Sequence, residues 1–105
     1  MDKVYLIIRE KGTHTDEKTY YESETTILGA RDNKQDAATY LKKVIKHFYP
    51  NDNPIRGTYD YENKLYTSYV FRIDDEGLED EFWIKAMNIG EKGDIVKWNN
   101  AFGIV

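Results

Sequence analysis

Residues 25–48, Thr-Thr-Ile-Leu-Gly-Ala-Arg-Asp-Asn-Lys-Gln-Asp-Ala-Ala-Thr-Tyr-Leu-Lys-Lys-Val-Ile-Lys-His-Phe, decide the fold class. Thr25 to Ala30 is β-branched and apolar and reads as a strand, with Gly29 near its end marking a bulge or a close approach of the helix that follows. From Asp32 the period changes. Ala37, Leu41, Val44, Ile45 and Phe48 stand four, seven, eight and eleven residues beyond the first of them, which is one side of a helix. Asp32 or Asn33 supplies the N-cap, and Gln35 or Asp36 sits where a capping-box partner answers it. Lys42, Lys43, Lys46 and His47 put positive charge at the end where the macrodipole favours it, and Pro50 stops the helix. A strand running into a capped amphipathic helix needs a sheet to bury the helix's apolar face.

Working outward, Val4 to Ile8 is an apolar strand with both faces partly apolar, the mark of an inner position. Residues 11–19 are polar and aperiodic and read as a connection, after which Tyr20 to Ala30 pairs back on the first strand. Beyond the helix, Tyr49 to Asn63 reads as a long irregular connection, the kind that carries recognition. Leu65 to Ile73 and Glu81 to Ile89 read as a hairpin about Gly77, and Ile95 to Trp98 as a short terminal strand. The expected architecture is one α+β domain spanning 1–105, in ββαββ order. Its mainly antiparallel sheet has four or five strands, covered on one face by the helix. Leu41, Val44, Ile45 and Phe48 are expected to pack against Leu6, Ile8, Phe71 and Ile84.

Composition bounds the function. A length of 105 residues suits one domain with its own core, and the absence of cysteine removes disulfides and thiolate metal sites. The opening apolar run is too short for a signal peptide or a membrane span, so a soluble, unprocessed, cytoplasmic protein is expected. A net charge of −4 disfavours a protein that wraps a phosphate backbone. That charge is uneven: residues 58–91 carry a net −6, and the helix region is basic.

Three groups of residues invite a functional reading. Asp74, Asp75, Glu76, Glu79, Asp80 and Glu81 put six acids in eight residues around Gly77. Their spacing fails the EF-hand pattern, and no metal or other cofactor is expected there. Such a cluster either docks on a basic surface, imitating nucleic acid to a protein that binds it, or simply keeps a hairpin tip solvated. Nine tyrosines form the second group, Tyr59 and Tyr61 foremost because they sit in the long connection; tyrosine gives large, rigid contact area at low entropic cost. Third, the lysines of the helix could touch phosphates, although the macrodipole accounts for them too. Neither histidine has a partner at ligand spacing, no glycine-rich phosphate loop is present, and no serine sits in a nucleophile elbow.

The opening Lys3-Val4-Tyr5-Leu6-Ile7-Ile8, then Ile27-Leu28-Gly29-Ala30 and a capped helix containing Ala37-Ala38-Thr39-Tyr40-Leu41-Lys42, resembles small proteins of phages and mobile elements in Gram-positive bacteria. The likeness spans about the first 48 residues and carries no catalytic position. It implies a small acidic inhibitor of a host or toxin nuclease, of the anti-CRISPR or immunity type. The expected function is therefore non-enzymatic. The chain binds a protein with a basic surface, possible homodimer included, through Asp74, Asp75, Glu76, Glu79, Asp80 and Glu81 with Tyr59 and Tyr61. Its rivals are a nucleic-acid-binding accessory protein using the helix lysines and sheet aromatics, and a protein with an unrecognised pocket.

Overall fold

A computed structural model of the chain describes residues 2–13, 23–74 and 77–89. They form an α+β fold in which one helix lies on a five-stranded antiparallel sheet. In chain order the elements are β1 (Asp2–Thr13), β2 (Ser23–Arg31), α1 (Lys34–Phe48), β3 (Arg56–Asp60), β4 (Leu65–Arg72) and β5 (Leu78–Ile89). The strands lie side by side in the order β2-β1-β5-β4-β3, so β1 has the inner position its two apolar faces require.

Two expectations change. The strand expected over Val4 to Ile8 runs from Asp2 to Thr13, because β5 pairs with it along its whole length, from Asp2 opposite Ile89 to Thr13 opposite Leu78. The connection from Tyr49 to Asn63 holds a strand of its own, β3, making the order ββαβββ. Its sequence, Arg-Gly-Thr-Tyr-Asp, is short, shows no apolar alternation and stands just after Pro54, so nothing in it advertised a strand. The expected strand at Ile95–Trp98, and Tyr20 to Glu22, lie outside the described residues.

Helix α1 starts as its cap predicts. Asn33 has extended backbone, its Oδ1 accepts the Asp36 N–H at 2.8 Å, and its Nδ2 donates to Asp36 Oδ2 at 2.8 Å. At the far end the Tyr49 N–H reaches the Ile45 carbonyl at 2.7 Å. The helix buries Ala37, Ala38, Tyr40, Leu41 and Val44, leaving Ile45 and Phe48 partly covered at the margin.

The sheet face beneath the helix is the expected one for Phe71 and Ile84 but not for Leu6 and Ile8. Ile7, Leu28, Phe71 and Phe82 meet it, with Tyr5, Tyr69 and Ile84 around them, whereas Leu6 and Ile8 join Val4 and Ala30 in a second cluster. Side chains alternate along a strand, so choosing Ile7 sends Leu6 and Ile8 through to the other face. A bulge explains the choice. Ile7 pairs with Gly29 and Ile8 with Ile27, so Leu28 is the extra residue, and both Leu28 and Gly29 turn toward the helix. Gly29 serves the close approach its position suggested: a Cβ there would stand 2.7 Å from the Tyr40 ring. The Tyr40 hydroxyl donates to the Leu28 carbonyl at 2.9 Å, using the acceptor that the bulge exposes.

Candidate functional site

Helix α1 covers β2, β1, β5 and β4, and β3 projects beyond it as the outermost strand. Asp60, at the end of β3, shapes the hairpin that follows. Its Oδ1 accepts the Glu62 and Asn63 backbone N–H groups at 3.0 and 3.1 Å, and its Oδ2 accepts the Asn63 side-chain amide at 2.8 Å. Lys64 takes the left-handed conformation (φ 58°) that returns the chain into β4. The Lys34 ammonium at the start of α1 also donates to Asp60 Oδ2, at 2.5 Å, tying helix to hairpin. These donors, Lys34 first and Asn63 next, hold the Asp60 carboxyl well below the usual carboxylate range.

This framework holds a row of tyrosines. Tyr59 stands edge-on to Tyr61 and to Tyr66, with centroids 4.9 Å apart in both pairs, and Tyr66 stacks on Tyr69 at 5.3 Å. A second bulge brings them together. Thr58 pairs with Ser68 and Tyr59 with Tyr66, so Thr67 is the extra residue and the alternation along β4 breaks between Tyr66 and Tyr69. Gly57, opposite Tyr69, permits a close approach of the two strands: a Cβ there would stand 2.8 Å from the Ser68 carbonyl oxygen, with the Tyr66 ring in ordinary contact at 3.5 Å. Burial pushes the Tyr69 hydroxyl pKa upward, with Tyr66 adding to the effect. Tyr61, in contrast, is 84% exposed, and Tyr66 is 43% exposed.

An open groove of about 390 Å³ runs between these rings and the helix. Gln35, Ala38, Thr39 and Lys42 form the helical wall, at the i, i+3, i+4, i+7 spacing of one helix face. Tyr59 and Tyr66 form the other wall, and Asn63, Lys64 and Leu65 close the end. Lys42 and Lys64 are exposed, and none of the described residues lining the groove is acidic. Reading the sequence picked out Tyr59, Tyr61 and the helix lysines separately; it missed Lys64 and the groove, because both depend on β3, whose one local signal is the Asp60-x-x-Asn63 turn.

The acidic segment divides. Between β4 and β5 the Ile73 N–H donates to the Leu78 carbonyl at 2.9 Å, the Leu78 N–H donates to Asp74 Oδ1 at 3.0 Å, and Gly77 takes a φ of 97°. Asp75 and Glu76 lie outside the described residues. Glu79, Asp80 and Glu81 belong to β5. Glu79 receives both terminal nitrogens of Arg56, at 2.6 and 2.8 Å, and Glu81 is half-buried. Asp80 does not reach the surface at all. It is fully buried, and Arg9 donates to it from Nε at 3.0 Å and from a terminal nitrogen at 2.7 Å, with the Tyr49 hydroxyl adding a third donor at 2.6 Å. Phe48 lies beneath the Arg9 guanidinium at 4.1 Å, and Phe71 stacks on Tyr49 at 4.2 Å. The period-two alternation explains the split: Asp80 faces the helix with Phe82, while Glu79 and Glu81 face the other way.

Trp83 is half-buried on the second sheet face beside Val4, Leu6 and Ile8, and its indole nitrogen has no hydrogen-bond partner among the described residues. His47 is exposed and stands edge-on to Phe48; His14 and Trp98 lie outside the described residues. Among the described residues, no three His, Asp or Glu side chains gather as metal ligands, and no helix is long and apolar enough to cross a membrane. Comparison with family models, with curated proteins and with solved structures returned no match.

Proposed function

We propose that the protein is a non-catalytic binding module that engages a partner protein through the tyrosine corner of the β3–β4 hairpin and the groove beside it. One observation carries this reading: Tyr61, 84% exposed, extends out to solvent a packed row of rings, two of which, Tyr59 and Tyr66, wall an open groove. Rigid aromatic area of this kind is what a protein interface uses as an anchor. The well-positioned carboxylates support a non-catalytic role. Asp80 is engaged by Arg9 and Tyr49, and Asp60 by Lys34 and the turn, so both serve to hold elements of the fold together.

In the narrower form of this proposal the partner is a nuclease whose basic surface the protein occludes. Its support is the net −6 of residues 58–91. Asp80 is inside the fold and Glu79 is engaged by Arg56, so neither is counted among the charges that such a partner would meet.

Affinity capture from a lysate of the native host, by wild type and by a Tyr61→Ala/Tyr66→Ala variant in parallel, tests the binding surface. Proteins retained by wild type and lost by the variant are the expected result. Identical captured sets would overturn it. Nuclease activity of any captured protein, measured with and without the wild-type chain, then tests the narrower form.

A further inference from the structure

The tyrosine corner adjoins an open sheet edge. Arg56, Gly57 and Thr58 are all exposed, and β3 has no neighbour on its outer side among the described residues. Such an edge presents unpaired backbone donors and acceptors, and proteins commonly guard it with lysine, proline or a covering loop. No lysine or proline lies within β3.

We propose that β3 receives an extended acidic peptide segment as a sixth strand, with alternate side chains of that segment entering the groove; this rests on the protein-binding reading, not on its nuclease-occluding form, and names the kind of segment that the tyrosine corner engages. In strand addition the main-chain bonds provide affinity, and pockets for every second side chain provide selection. Side chains of the added strand that point to the helix side arrive beside Tyr59, facing Lys42 and Lys64. A carboxylate there meets two ammonium groups. Of the two carboxylates shortly before Lys64, Asp60 is already engaged by Lys34 and Asn63, and Glu62 is exposed and does not line the groove. The opposite face is less demanding. There the guest runs beside Thr58 and beside Arg56, whose guanidinium is committed to Glu79.

The test uses the full chain and a fluorescein-labelled peptide of alternating Glu and Val capped by Thr, read by fluorescence polarisation and by amide chemical shifts. The acidic peptide is expected to bind and to move the amides of residues 56–60, while its Lys-for-Glu counterpart does not bind. Methylating the central amide nitrogens of the probe is expected to abolish binding without touching the protein. Lys42→Glu/Lys64→Glu, at two exposed positions, is expected to weaken it roughly tenfold at low salt. Binding that survives amide methylation would overturn strand addition. Binding of a short oligothymidylate in place of the peptide would hand the groove to nucleic acid, and concentration-dependent dimerisation through residues 56–60 that the peptide cannot displace would hand the edge to a second copy. If the acidic peptide fails while Tyr61→Ala/Tyr66→Ala still abolishes capture from lysate, only the strand-addition proposal falls.

Discussion

The Tyr49 hydroxyl donates to Asp80 Oδ2 at 2.6 Å, linking the residue that caps the end of α1 to the middle of the sheet. With Arg9 on the same carboxylate, the contact joins β1, β5 and the helix terminus at one buried point. A buried carboxylate is tolerated only where such donors replace its water.

Removing it therefore leaves Arg9 without its counter-ion against Phe48 and Phe82. Asp80→Ala is expected to cost about 3–5 kcal/mol, the range for breaking one side of a buried pair. Tyr49→Phe removes a single hydrogen bond to a charged group and keeps the ring on Phe71, so about 1.5–3 kcal/mol is expected. Urea unfolding of both variants checks the ranking; an Asp80→Ala loss no larger than that of Tyr49→Phe would mean that the guanidinium finds other acceptors.

The same contact sets an alkaline limit. Burial first, and the Asp80 hydrogen bond next, push the Tyr49 hydroxyl up to about 12 from an ordinary 10.0. Below pH 10 both folded and unfolded chains keep the proton, so the stabilising effect is fully present. Between pH 10 and about 12 the unfolded chain loses the proton first, and stability falls as pH rises. Wild type is expected to lose more stability across that window than Tyr49→Phe does, measured by chemical unfolding at each pH. Equal slopes would remove Tyr49 as a source.

Gly29 tests the bulge that selects the helix-bearing face. A methyl group there would lie 2.7 Å from the Tyr40 ring, which is held by its bond to the Leu28 carbonyl and so has little freedom to retreat. Gly29→Ala is expected to destabilise by about 1–3 kcal/mol, the usual cost of overpacking. Pairing it with Tyr40→Leu should recover part of the loss, since Leu vacates the space; an unchanged penalty in the double variant would place the strain in the strand backbone instead.

The helix was legible because one run held its cap, its period and its terminal charges, and Asn33, Leu41 and Val44 take the places these signals assign. Phe71 and Ile84 lie beneath it as expected, but the face of β1 that it covers was not legible. Val4, Leu6 and Ile8 make as good an apolar set as Tyr5, Ile7 and the ring-stacked stem of Arg9, and the choice depends on an extra residue at Leu28, which leaves no periodic trace. The acidic cluster misled for a related reason. Proximity in sequence suggested one charged surface, but in a strand neighbours diverge, so Asp80 enters the core between two residues that do not. The tyrosine corner was half visible: Tyr59 and Tyr61 stood out by composition, whereas Tyr66 joins them through the bulge at Thr67.

The functional proposal predicts that rings and acids act on different rates. Tyr61→Ala is expected to change stability by less than about 0.5 kcal/mol, because its side chain is almost wholly in solvent, yet to speed dissociation from a captured partner. A desolvated aromatic anchor holds by short-range contact that salt does not screen, so this effect should persist at high ionic strength. Replacing Asp74, Asp75, Glu76 and Glu81 with amides should act on association instead, slowing it at low salt and converging with wild type as salt rises. Asp74→Asn keeps an oxygen for the Leu78 N–H, so the turn survives the change. Stopped-flow or surface-capture kinetics at two ionic strengths separate the cases. Amide variants that associate at the wild-type rate in low salt would confine the acidic segment to a structural role, and the nuclease-occluding form of the proposal would fall with it while the tyrosine surface stands.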